Sequence, residues 1–204
     1  MGVTATVAAG LTAAAATGTL RIASSLDPPS PVVPGQEPDH AYTTDTAEAR
    51  ALAQAGYLDE TLRHPLYLFT QEVPSEESGR IARLRRFYNG PGQDHFYTPF
   101  EDEFLSVAHD EGYTDESADH PMWVLMADNE DDIPAGAQRL YRVFQPVWVD
   151  NFYTTSLAEA EAAVAGQGYE WRWTDRRYPC VFTSPAIGGG TPAARWHRLY
   201  NPPR

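Results

Sequence analysis

Asp94, His95 and Tyr97, with Arg86 a few residues upstream, put a carboxylate, an imidazole, a phenol and a guanidinium into one short stretch. That set suits reversible capture of a sugar. Flat polar groups bond to hydroxyls, and aromatic faces stack on the apolar side of the ring. The set recurs as Asp39, His40 and Tyr42 with Arg198, and as Asp150, Asn151 and Tyr153 with Arg142. Trp148, in a turn-forming stretch just before Asp150, adds a large ring with no evident role in folding. These are the candidate ligand-binding residues. Weak single sites gain strength when several engage one glycan-covered surface. A structural reading stands beside this one. Residues that recur in a repeat usually build the repeat. An Asp beside an Arg on a paired strand makes an ion pair, and a Tyr hydroxyl satisfies buried backbone.

Catalysis is poorly served. No G-x-S-x-G elbow, H-E-x-x-H helix or phosphate-cradling motif occurs, and Gly188-Gly189-Gly190 lacks the flanking strand and helix of a phosphate loop. His40 and His95 occupy equivalent positions in different copies, so no His pair has metal-ligand spacing. An enzyme needs an acid and a base in unequal environments, whereas near-equal copies repeat one environment. No catalytic residue, metal or cofactor is expected.

The elements that must position these residues follow from the spacing. Asp39-His40-Ala41-Tyr42-Thr43-Thr44, Asp94-His95-Phe96-Tyr97-Thr98-Pro99 and Asp150-Asn151-Phe152-Tyr153-Thr154-Thr155 begin 55 and 56 residues apart. A Gly-Tyr pair follows each, at Gly56, Gly112 and Gly168. An aromatic strand precedes the second and third, Arg83 to Asn89 and Arg139 to Gln145; the first finds its counterpart at Trp196 to Asn201. Turn formers such as Gly90-Pro91-Gly92-Gln93 make a hairpin between the two strands of a copy. Alternation is expected to put Phe96 and Phe152 on one strand face, with Asp and Tyr on the other. Capping patterns at Asp45, Thr98 and Ser156 start Ala/Glu-rich helices over 47–55, 101–111 and 157–166. The glycines stop them in a left-handed conformation. Apolar strands at 66–69, 122–126 and 180–182 are expected to line a shared core.

The fold class is therefore α+β: a pseudo-threefold closed ring of three strand-strand-helix-strand-strand modules, the first completed by the C-terminal strand. Its symmetry is β-trefoil-like or propeller-like, although three helices fit a trefoil poorly. Residues 38–204 form this single domain, and 1–37 form an N-terminal arm or signal segment with a Pro-rich linker. Trp123 reads as core, and Trp171 with Trp173 as a stacking platform or a core cover.

A net charge of −13 argues against nucleic acid and anionic membranes as partners. Every cation is Arg. A single cysteine, Cys180, in an apolar run excludes an intrachain disulfide and reads as buried. No stretch reaches the length of a membrane span, so no membrane insertion is expected. The first 25 residues lack the basic start of a secretory signal, so secretion or surface display and a cytoplasmic location both stay open.

The segments Arg86-Phe87-Tyr88-Asn89, Arg198-Leu199-Tyr200-Asn201, Asp94-His95-Phe96-Tyr97-Thr98 and Asp39-His40-Ala41-Tyr42-Thr43-Thr44 resemble a repeat family. Its pattern is L-Y-R-x-Y-N, then D-H-F-Y-T-T, then an Ala/Glu helix, then G-Y. The resemblance covers 39–201 and departs from the pattern at Asn151, Ala41 and Gln145. It implies a domain of unknown function in secreted or surface proteins of fungi and bacteria, sometimes attached to hydrolases, and no chemistry of its own. The residues point first to a non-catalytic, lectin-like module whose partner is a glycan or glycoprotein surface. A protein-interaction or structural surface module comes second, and a polysaccharide or cell-wall hydrolase third.

Overall fold

The computed structural model describes residues 38–63, 65–72, 80–108, 112–174, 176–185 and 193–202. The expected N-terminal arm and the glycine run at 188–190 lie outside them. The described residues are mostly β with three α-helices, and curled antiparallel sheets form a half-barrel.

In chain order the elements are β1 (Asp39–Thr43), α1 (Thr46–Ala55), β2 (Leu58–Asp59), β3 (Leu66–Leu68), β4 (Ile81–Arg83), β5 (Arg85–Asn89), β6 (Asp94–Thr98), α2 (Glu101–Ala108), β7 (Tyr113–Asp115), β8 (Trp123–Ala127), β9 (Ala137–Arg139), β10 (Tyr141–Gln145), β11 (Asp150–Thr154), α3 (Leu157–Gln167), β12 (Glu170–Arg172), β13 (Tyr178–Phe182) and β14 (Ala194–Asn201). The largest sheet runs β1-β14-β3-β13-β8-β4, with β2 on β14 and β9 on β13. Two three-stranded sheets, β6-β5-β7 and β11-β10-β12, carry the second and third copies of the motif.

β14 is the partner of β1, in register from Asp39↔Asn201 to Thr43↔His197. The other copies pair in the same way, Asn89↔Asp94 in β5–β6 and Gln145↔Asp150 in β10–β11. The first aromatic strand expected in two copies is broken once, at Leu84 and at Leu140, where each backbone N–H leaves its ladder for Met122 O and Pro179 O. Both leucines are fully buried in one core cluster, together with Trp196, which holds the same place in the unbroken β14.

The helices obey the capping signals. Asp45 and Ser156 accept from Ala47 N and Glu159 N, and Thr98 Oγ1 accepts from Phe100 N ahead of α2. Gly56, Gly112 and Gly168 have φ of 109°, 112° and 75°, a region that glycine enters without strain. Trp123 packs, partly buried, on a second core cluster, and Cys180 is buried within it. Burial pushes the Cys180 thiol up to about 11, which keeps it protonated. Trp171 and Trp173 part company: Trp173 enters the main core, while Trp171 covers a satellite cluster around Phe152. They form no shared platform.

The alternation expected for the motif strands needs one correction. All five residues of β1, β6 and β11 are buried, so both faces are inside. Asp94 and Asp150 share parity with Phe96 and Phe152, not with the tyrosines, because they lie two residues before them.

Candidate functional site

The three motif strands meet along their tyrosines. Tyr97 Oη accepts from Tyr42 N and donates to Tyr42 O, at 2.9 and 2.6 Å. Tyr153 Oη does the same for Tyr97, and Tyr42 Oη for Tyr153. Each phenol thus satisfies both backbone groups of one residue in the next strand, groups that strand pairing leaves free inside the core. Burial is the main reason all three phenols titrate well above their ordinary value, so they stay protonated and can donate.

Beside them, Asp39, Asp94 and Asp150 offer carboxylate oxygens within 4.8 Å of one another, all fully buried. Asp39 accepts from His95 N and lies 3.1 Å from His95 Nδ1. Asp150 accepts from His40 N and lies 2.8 Å from His40 Nδ1. Asp94 accepts from Asn151 N and Nδ2 at 2.9 and 2.6 Å. Tyr57 and Tyr169, from the Gly-Tyr pairs, donate to Asp39 and Asp150. A calcium ion takes roughly six or more oxygens, and all six that these carboxylates carry already accept hydrogen bonds. The third copy solves the crowding differently. Asn151 brings no charge where the other copies have an imidazole. Burial, then the charges of Asp150 and Asp39, hold the Asp94 carboxyl well above the usual carboxylate range.

The three arginines do not pair with these aspartates, contrary to the sequence expectation. Each crosses to a glutamate on the helix of the preceding copy. Arg86 forks onto Glu48 at 2.9 and 2.6 Å, and Arg198 onto Glu159 at 3.1 and 2.7 Å. A second glutamate, three residues past the Gly-Tyr tyrosine, closes each clasp. Arg198 Nε donates to Glu60 at 2.8 Å. Arg86 Nε sits 2.8 Å from Glu116 Oε2, an ion pair whose angle is too poor for a hydrogen bond. Burial works against the charge on Arg198, but Glu159, Tyr42 and Glu60 overcome it and raise its pKa.

The third clasp is incomplete. Arg142 Nη1 makes one bond to Glu103, 3.1 Å, and its Nε donates to Asn151 Oδ1 at 2.9 Å. Where the other copies carry Glu60 and Glu116, this one has Arg172, directly across the ladder from Arg142. Two further departures accompany it. In the other copies an imidazole covers a tyrosine, His40 on Tyr200 at 4.5 Å and His95 on Tyr88 at 4.8 Å. Here Phe144 faces Asn151 in the register, with Arg172 5.1 Å over its ring. Thr61 and Ser117 bracket the arginine backbone elsewhere. At that place stands Trp173, whose indole turns inward to donate to Glu103 at 3.0 Å. It does so with φ of 60°, an uncommon conformation for a large residue.

At this seam a solvent-open cleft of about 200 Å³ lies between the second and third copies. Its floor holds Phe96, Arg142 and Asn151; Glu103, Ser106, Val107 and Tyr113 line one side, and Phe144 and Arg172 the other. The Arg142 guanidinium carbon lies over Phe96, 4.4 Å from the ring centre. Aromatic faces and fixed planar polar groups share one small concavity, the kind of lining that orients a small ligand.

The chain belongs to the DUF5648 family. That family is described as a domain of unknown function, and its model matches residues 32–120 and again 83–203. The overlapping matches fit an internal repeat. No curated protein and no solved structure matches the chain.

The family motif thus builds the centre of the fold. Asp39, His40, Tyr42, Arg86, Asp94, His95, Tyr97, Arg142, Asp150, Asn151, Tyr153 and Arg198 are all buried, the arginines held chiefly by helix glutamates and the rest by one another across the copies. Trp148 is half-buried in the turn before Asp150 rather than an open ring. Of the thirteen candidates only Arg142 and Asn151 line the cleft. Glu103, Phe144, Tyr113 and Arg172 were not singled out from sequence. The signal was present. A glutamate follows each motif aspartate by nine residues, as Glu48, Glu103 and Glu159, and the glutamate three past the Gly-Tyr tyrosine fails only at Arg172.

Proposed function

We propose that the three copies close a pseudo-threefold ring and that the protein is a non-catalytic glycan-binding module. Its binding site is the cleft at the seam between the second and third copies. The repeated buried groups hold the ring, and the departures from the repeat make the site. One observation carries this reading: the cleft lies where the arginine clasp lacks its second glutamate and the ring lacks its imidazole cover. The half-buried ring of Phe144, which lines the cleft with Tyr113, offers a stacking surface once Arg172 turns from over it to a ligand, and Arg142 and Asn151 supply fixed polar groups.

The lining supports binding rather than hydrolysis. Glycoside cleavage requires two carboxyls facing one bond. Among the residues lining the cleft Glu103 is the one carboxylate, and Arg142, Trp173 and Thr98 already bond to it. Partners are expected to be glycan-bearing surfaces, and no helix of the described residues is long and apolar enough to cross a membrane.

A glycan array tests the proposal. Specific signal is expected from the wild-type chain, with loss of at least tenfold in Phe144→Ala. Signal unchanged in that variant, or a blank array with a protein captured instead, would overturn it in favour of an interaction module.

A further inference from the structure

We infer that the cleft takes an acidic sugar, a uronic acid whose carboxylate sits between Arg142 and Arg172. This rests on the glycan-binding reading above and names the class of sugar.

The inference starts from charge. Arg142 and Arg172 are directly opposed on β10 and β12, and opposed like charges on neighbouring strands repel. In the other two copies this cross-strand pair is Arg with Glu, Arg86 with Glu116 and Arg198 with Glu60, so the opposed charges attract. Here Arg142 has Glu103 as its single carboxylate partner among the described residues, and Arg172 holds Glu170, which is more than half exposed. The position of the missing carboxylate is therefore open to a ligand. The Arg142 guanidinium is fixed by burial, at 8% side-chain exposure, by its bonds to Glu103 and Asn151, and by contact with Phe96. A planar guanidinium matches a carboxylate as a two-point fork, which a neutral hydroxyl cannot reproduce.

The second element is shape. Phe144 stands beside Arg172 and lines the same cleft as Tyr113. A pyranose stacked on one of these rings would carry its C5 carboxylate toward the two arginines. A free small carboxylate gains the ion pair but not the stacking. A cleft of about 200 Å³ admits one sugar residue rather than a long chain. The net charge of −13 repels a polyanion at distance, so recognition acts at contact range, on a terminal or isolated uronate.

The test is calorimetric titration of the full chain with methyl glucuronide and methyl galacturonide, their neutral parent glycosides, glucose 6-sulfate and acetate. At least one uronide is expected to bind tenfold or more tighter than its neutral parent, the sulfate and acetate. Arg172→Glu, which restores the residue carried by the other two copies, is expected to abolish that preference with the melting temperature unchanged or raised. Arg172→Gln serves as the second variant should the first fail to fold. Equal binding of neutral and acidic glycosides would overturn the acidic subsite while leaving glycan binding intact. Binding of acetate or the sulfate as tightly as a uronide would overturn the uronate assignment. Failure of every sugar would overturn both readings.

Discussion

The Arg198 seam and the Arg142 seam are two versions of one construction, and their difference shows where this repeat is closed by its own side chains and where it leaves an open cleft. Arg198 is 1% exposed and lies between two carboxylates that are themselves buried, Glu60 and Glu159. Among the described residues Arg142 has one carboxylate partner, Glu103, which is 21% exposed and also held by Trp173. Arg in place of Glu at a single recurrent position turns a clasp of one cation and two carboxylates into a pair of cations with one helix glutamate, at the edge of a cleft. The recurrent residues serve the fold, and on the proposed reading the departure from them makes the site.

The largest expected effect comes from the closed seam. Arg198→Met leaves two glutamates buried without their cation and should cost about 3–5 kcal/mol in urea unfolding. Arg142→Met, read the same way, should cost less, about 1–3 kcal/mol, because Glu103 keeps Trp173 and Thr98 as donors and the buried loss falls on Asn151 Oδ1. Equal losses would erase the distinction between the seams. Next in size, Tyr97→Phe removes the hydroxyl that brackets Tyr42 N and O and should cost about 1–3 kcal/mol, since both backbone groups stay buried.

Asp94→Asn sharpens the comparison with a gain. The native carboxyl titrates well above its ordinary range because of burial and the neighbouring Asp150 and Asp39. A raised native pKa means that folding favours the protonated form. That contribution is complete below the unfolded value of about 3.9 and is lost as pH rises through the native value. The wild type should therefore lose stability upward from about pH 4, and the Asn variant, which cannot ionise, should lose less. Melting temperatures from pH 3.5 to 8 check this: equal curves would show that Asp94 is not the stressed member of the trio. The smallest effect is Glu116→Gln, under about 1 kcal/mol, because that glutamate is 28% exposed and Glu48 still forks onto Arg86.

Much of the framework was legible in the order of residues. The period from Asp39 to Asp94 to Asp150 and the glycines after each helix are local signals, and pairing of β1 with β14 followed from the unmatched strand at each end. What escaped was long-range. Glu48, Glu103 and Glu159 look like the wet face of an Ala-rich helix, and nothing within one copy says that they reach an arginine in the next. The aspartates beside those arginines looked like the natural partners. They are instead used up by the backbone and side chains of His95, Asn151 and His40 in neighbouring copies. Arg172 lay in plain view, but its meaning depends on aligning Glu170-Trp171-Arg172-Trp173 with Leu58-Asp59-Glu60-Thr61 instead of reading the two tryptophans as a pair.

The most direct measurement is a crystal structure of the full chain soaked with mixed neutral and acidic mono- and disaccharides. Density for a sugar should appear against Phe144, Arg142 and Arg172, with the clasps at Arg86 and Arg198 closed and bare. Sugar at all three seams alike, or bound at Trp148 with the Arg142 cleft empty, would contradict the claim that the broken copy makes the site.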